Sequence, residues 1–318
     1  MIMEILTFLF HILIFPGLLF TVVIGLLLAG IDRKVLARMQ KRVGPPVIQP
    51  VYDVLKLFGK ETIIPDAANR TAYLAAPLIG FIALVFTALF IPIFGFGAFS
   101  SSADLIIILY LITIPAVCLI VGGSASGSPF AGIGISREMV TMMGYELPLI
   151  LVFLAVGRKV GGATLCFSLR YIEAWQQYYG CLISKWALIP AAIAMLLIIP
   201  AEVGTQPFDV AEAETEICEG PLIEYSGRPL AIFKLNTAIK MFIMTSLFTV
   251  LFLGGIDTGF VWLNAIILVA IDICLTVLCM TFIHAVTARL KIEHLFKFYW
   301  TVVAGLAVLS LVLVWIGL

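Results

Sequence analysis

Read for the spacing of its apolar and polar residues, the chain is a succession of long oily runs separated by short polar stretches. Eight runs approach the ~20 apolar residues that a helix needs to cross a bilayer. They fall at roughly 5–29, 72–94, 104–122, 138–157, 184–202, 231–254, 262–287 and 296–316. A different period follows Pro50, a residue that suits the first turn of a helix. There Val51, Val54, Leu55 and Phe58 recur at i, i+3, i+4 and i+7, while Asp53, Lys56 and Lys60 take other faces. That pattern predicts an amphipathic helix along the membrane interface, serving as an anchor or as a dock for a partner protein. No soluble domain, internal repeat or low-complexity segment interrupts the series. The expected fold is all-α: one helical membrane domain over 1–318, with an acidic loop at 203–230.

Composition agrees with that pattern. The 318 residues are 62% hydrophobic, with a mean hydropathy of +1.16, whereas soluble domains are ~45–50% apolar. Formal net charge is zero, and no basic stripe is interleaved with aromatics, so no nucleic-acid partner is expected. The first run is too long for a signal peptide, carries Glu4 before it and has a basic segment directly after it; it reads as a spanning helix.

The lysines and arginines orient the chain. Arg33, Lys34, Arg38, Lys41, Arg42, Lys56, Lys60 and Arg70 follow the first helix, and Arg137, Arg228, Lys234, Arg289, Lys291 and Lys297 fall on the same side. Arg158, Lys159, Arg170 and Lys185 lie opposite. The first side is therefore cytoplasmic, with both termini of this multi-pass protein outside.

The chemistry-bearing residues are few. The six cysteines form no C-x-x-C and read as small hydrophobes, with a pairing of Cys166 and Cys181 left open. The three histidines are dispersed, and no metal or cofactor is expected in this chain. No nucleophile elbow, P-loop or dinucleotide fingerprint is present. The glycine-rich run "VGGSASGSPFAGIGIS" reads as a flexible cytoplasmic loop.

Acids are the exception. Only 12% of residues are charged, yet "QPFDVAEAETEICEGPLIEYSG" (206–227) holds Asp209, Glu212, Glu214, Glu216, Glu219 and Glu224 with no lysine or arginine. Asp209 suits the cap of a short helix that Gly220–Pro221 ends, and on it Glu212, Glu216 and Glu219 would share a face. Such a stretch is a solvated loop, a proton reservoir or an acidic face for a partner. Glu146, Asp272 and Lys240 fall inside apolar runs and Glu202 closes one; buried ionisable groups of this kind pair with one another or build proton relays.

Three segments carry a family resemblance: "RVGPPVIQPVYDVLKLFGKE" (42–61), "SREMVTMMGYELPL" (136–149) and "AEVGTQPFDVAEAETEICEGPLIEYSG" (201–227). Together they resemble subunit 1, or H, of respiratory complex I, the membrane subunit that joins its two arms. The compact "GPPVIQP" and "EGPLIEYSG" are most similar to the equivalent subunit of energy-converting, membrane-bound nickel–iron hydrogenases. The resemblance implies a non-catalytic subunit that anchors a cytoplasmic redox arm and couples it to proton (or sodium) translocation. Hydrogenase-like large and small subunits and an iron–sulfur subunit would hold the nickel–iron centre and iron–sulfur clusters. Antiporter-like membrane subunits and lipid complete the implied partners. Glu146, Glu202, Asp209, Glu212, Glu214, Glu216 and Glu224 match the family's proton path, and Arg137 matches its arginine. Glu219 joins the path as the extra acid of this branch, with Lys240 and Asp272 as supporting residues from the polarity argument alone. Asp53, Lys56, Lys60, Glu61 and Arg228 form the expected docking surface. A sulfur-reducing sister complex, a quinone-reducing complex I and a self-sufficient ion transporter are the rival readings.

Overall fold

The computed structural model describes residues 10–14, 17–92, 104–162, 164–254 and 260–317. Eight helices among them are long and apolar enough to cross a membrane, as the apolar runs predict. The elements are α1 (Leu18–Met39), α2 (Gln49–Phe58), α3 (Arg70–Phe90), α4 (Leu105–Ser126), α5 (Pro129–Gly161), α6 (Leu169–Tyr179), α7 (Ile189–Val203), α8 (Gly227–Leu253) and α9 (Val261–Leu275). A π turn at Thr276–Thr281 carries α9 on into Phe282–Val286, and α10 (Ile292–Ile316) contains a second at Tyr299–Val303. All of these helices except the short α2 and α6 are candidates to cross; residues 5–9 and 15–16 of the first expected span and 93–94 of the second lie outside the described residues.

Helix α8 is the axis of the domain. Its most apolar window is 94% buried, and it packs against α1, α2, α3, α7 and α9. A helix that is oily on every face belongs in the centre of a bundle, and α8 has no polar stripe to turn outward. The outer spans are far less buried, as lipid-facing helices should be.

The amphipathic helix forms as expected, with Pro50 in its first turn. Its apolar residues divide between two surfaces. Val54 packs with Leu26 of α1 and Leu235 and Ala238 of α8, whereas Leu55 and Phe58 lie on the exposed side with Ile48 and Tyr52. One side is therefore stapled to the bundle while the other presents hydrophobic surface outward.

Several expectations are corrected. The first helix runs to Met39, so Arg33, Lys34 and Arg38 are helical. The last begins at Ile292 and takes in Glu293 and His294, which were expected in a loop. The glycine-rich run is no flexible loop: only Gly127 and Ser128 separate α4 from α5. Its glycines permit close packing instead, since a Cβ on Gly134 would sit 2.5 Å from Pro221 Cδ and 2.9 Å from Gly220 Cα. The acidic stretch also departs from its expected helix. Only Glu214–Ile217 is α-helical, a single 3-10 turn follows at Gly220–Leu222, and Cys218 and Glu219 between them turn through left-handed backbone. Glu212, Glu216 and Glu219 therefore share no helical face; like charges one turn apart disfavour that arrangement.

Candidate functional site

The site begins at the end of α7. Pro200 and then Gly204, in left-handed conformation, close that helix and leave Glu202 pointing inward at 3% exposure. Lys240, halfway along α8, is 7% exposed, and its Nζ lies 2.7 Å from Glu202 Oε1. The contact is a buried ion pair, and the Tyr145 hydroxyl reaches the same carboxylate. Ions buried this deeply persist only when paired.

The pair borders a cavity with about 60 Å³ open to the centres of water molecules, enough for several waters. Glu138 and Thr141 of α5 enter it from one side, Asn236 and Thr237 of α8 from another, and Asp209 and Glu212 from the acidic loop. Asn236 donates through Nδ2 to the Pro77 carbonyl at 3.2 Å, and among the described residues its buried Oδ1 has no donor. Buried polar atoms of this kind are normally satisfied by water. Tyr145, one turn beyond Thr141 and fully buried, stands within electrostatic reach of Glu138, Glu146 and Glu202.

Arginines fix the acidic loop over the cavity. Arg289, between α9 and α10, donates to Asp209 at 3.0 and 2.6 Å and to Thr215 Oγ1 at 2.9 Å. Arg137 of α5 donates to Glu216 at 2.6 Å and to the Val210 carbonyl at 3.3 Å. Glu212 is left facing the cavity without such a partner. Burial pushes its carboxyl up from the ordinary value; Glu219 and Asp209 add to this, and Lys234 and Lys240 oppose it.

The far end of the loop is held by a proline defect. Pro77 has no N–H, so the Tyr73 carbonyl on α3 loses its helical donor. Tyr225 supplies one through its hydroxyl at 3.1 Å, Tyr73 donates to the Glu224 carbonyl at 2.6 Å, and the two rings stack at 4.1 Å.

The expected site residues thus separate into groups. Glu202, Asp209, Glu212 and Lys240 meet at the cavity, and Glu146 lies within electrostatic reach of Glu202 and Lys240. Glu214 and Glu216 are on the exposed side of the loop, Glu219 flanks Glu212, and Glu224 is anchored beside the tyrosines. Asp272 lies apart, between α8 and α9. Of the expected docking residues, Lys56, Lys60, Glu61 and Arg228 are exposed, and the segment they share is closed by Ser226 Oγ accepting from Ile63 N–H at 2.9 Å. Asp53 is committed to Arg33 at 2.8 Å and to Gln49 at 3.0 Å. Burial pushes its carboxyl up, but these bonds outweigh it and hold the group below the usual range.

Sequence reasoning missed Glu138, Asn236 and Arg289. Glu138, Thr141 and Tyr145 recur at i, i+3 and i+7, a legible polar stripe once α5 is known to start at Pro129 rather than at 138. Among the described residues, no group of three or more His, Cys, Asp or Glu is placed to hold a metal ion.

This geometry can be set beside known proteins. The NADH dehydrogenase family model matches residues 11–315. The H subunit of NADH-quinone oxidoreductase from Geobacillus kaustophilus is 32% identical over 312 residues, covering 93% of this chain and 91% of that protein. Its counterpart of the same name from Rhodospirillum rubrum is 34% identical over 289 residues, covering 85% and 82%. Among solved structures, a chain of the membrane-bound sulfane sulfur reductase, an archaeal respiratory membrane complex, matches with a TM-score of 0.86 at 30% identity, covering 93% of this chain and 96% of that one. With its eight spans and a match along almost its whole length, this chain belongs to the NADH dehydrogenase family, as a multi-pass membrane subunit of the H type.

Proposed function

We propose that this chain couples a cytoplasmic redox arm to ion translocation by passing protons through its buried carboxylates. The observation that carries the reading is the cavity, where Glu138, Glu202, Asp209, Glu212 and Lys240 share one space with room for several waters. Glu212 takes up protons at the mouth, Glu138 and waters on Asn236 bridge inward, and the Lys240–Glu202 pair receives them beside Glu146. Protonating Glu202 would release Lys240, so charge in the centre of α8 depends on proton occupancy next to it. Such a device passes a signal to neighbouring antiporter-like subunits and needs no redox group of its own. The nickel–iron centre and iron–sulfur clusters then belong to hydrogenase-like partner chains, on the cytoplasmic side that the basic segments mark. Lys56, Lys60, Glu61 and Arg228 are the surface on which those chains dock.

The terminal acceptor in this reading is the proton, as in a membrane-bound hydrogenase of a prokaryotic cell membrane. A sulfane sulfur acceptor is the second reading, favoured by the 0.86 TM-score to the sulfane sulfur reductase chain. Gentle purification of the tagged chain with its partners, followed by assay of H₂ evolution, tests the first. Sulfane sulfur reduction without H₂ would select the second, and inhibition by quinone analogues would overturn both. Glu146→Gln tests the coupling itself: the complex should assemble and turn over but lose pumping.

A further inference from the structure

Away from the cavity, the buried polar side chains of α8 include Ser246 and Thr249, at 5% and 1% exposure. Facing them from α9 is Asp272, 3% exposed. Ser246 Oγ lies 2.9 Å from Asp272 Oδ2, and Thr249 Oγ1 lies 2.9 Å from Oδ1. Thr249 Oγ1 is also 2.9 Å from the Thr245 carbonyl oxygen. A hydroxyl has a single proton to donate, and carboxylate and carbonyl oxygens can only accept. With Asp272 ionised, Thr249 would serve two acceptors with one hydrogen and leave one close oxygen pair unbonded. With Asp272 protonated, every contact is used. Asp272 Oδ1–H donates to Thr249 Oγ1, Thr249 donates to the Thr245 carbonyl, and Ser246 donates to Oδ2.

The surroundings agree with a neutral group. Beside the three residues is a space of about 10 Å³, walled otherwise by Pro92, Phe242, Val250 and Leu268. Among the described residues, no titratable or charged side chain faces Asp272 from α8, from Pro92 or from its own helix. Lys240, the cation of α8 nearest to Ser246 along the helix, is committed to Glu202. An ionised carboxylate inside a bilayer needs a partner or a water path, and this one has neither among the described residues. Ser246 is also six residues beyond Lys240, a rise of ~9 Å along the helix, and the two cavities share no lining residue.

The geometry points to Asp272, Ser246 and Thr249 as a second proton-binding site, which stores one proton on a neutral carboxyl group apart from the Glu202 cavity. It goes beyond the relay and does not depend on it. Helix α8 carries both sites, one charged and paired, the other neutral and hydrogen-bonded.

The test is infrared difference spectroscopy of the assembled complex in lipid nanodiscs at neutral pH, wild type against Asp272→Asn. The expected result is a protonated-carboxyl C=O band present only in the wild type and shifted down in D₂O. Thr249→Val, which removes the acceptor of the carboxyl proton, should keep the band and move it to higher frequency, and Glu202→Gln should leave it in place. Absence of the band from the wild type, a band that Thr249→Val does not move, or one that added Na⁺ removes at constant pH would each overturn the proposal. The last outcome would make the site one for a metal cation.

Discussion

Lys240 reaches from the middle of α8 to within 2.7 Å of Glu202 at the end of α7, and both side chains are buried. Removing one member of such a pair leaves the other as an uncompensated ion, at a cost of about 3–5 kcal/mol. Lys240→Met should therefore lower the melting temperature of the complex more than the double variant Lys240→Met/Glu202→Gln, although the double variant loses more polar groups. Equal or greater loss in the double variant would show that the two charges do not sustain each other.

Glycines test the packing of the acidic loop. Gly134→Ala places a methyl group 2.5 to 2.9 Å from Pro221 and Gly220, and overpacking of this kind costs about 1–3 kcal/mol. Gly132, half a turn away, has nothing within 4 Å of its Cβ position. Gly132→Ala should be stabilising by roughly 0.5–1 kcal/mol, the helix propensity gain alone. Thermal melts of the two variants should move in opposite directions.

Much of this architecture is legible in the sequence, for physical reasons. A bilayer demands long apolar runs, so eight spans can be counted without any knowledge of packing. The concentration of acids is visible for the same reason: charge is rare in such a chain. The shape of the acidic loop is not visible. Asp209 looks like a helix cap, but Arg289 takes it from 80 positions further along the chain. Local propensity contains no term for that contact. Glu138 is hidden because the apolar window places the start of α5 at 138, whereas the helix extends nine residues earlier on the strength of glycine packing against Pro221. Asp272 is visible as a polar residue in an oily run, but only the hydroxyls of α8 reveal its protonation.

Arg289 is the latch between that loop and the α9–α10 connection. Arg289→Gln loses three charge-assisted bonds, to Asp209 and Thr215, at ~1.5–3 kcal/mol for each fully lost bond to a charged group and less where solvent replaces it. Amide hydrogen exchange over 207–217 should accelerate while α8 stays protected. Unchanged exchange in the loop would mean that Arg137 alone holds it.

The raised proton affinity of Glu212 gives a pH dependence of defined sign. A carboxyl whose folded value lies above its unfolded value stabilises the fold at low pH, and that contribution is lost as pH rises through the folded value. Glu212→Gln removes the dependence. Its melting temperature relative to wild type should therefore increase from pH 5 to pH 8. A flat or falling difference would indicate that Glu212 is an ordinary solvated acid.

The central claim, that protons cross the cavity on these carboxylates, is tested most directly at Glu138. This side chain lines the cavity and has no ion-pair partner within 4.0 Å among the described residues, so Glu138→Gln should leave assembly intact. The complex carrying it would be reconstituted in liposomes, with redox turnover and ion translocation recorded together. The account predicts that turnover continues while translocation falls to the leak of protein-free liposomes. Full translocation at full turnover would contradict it.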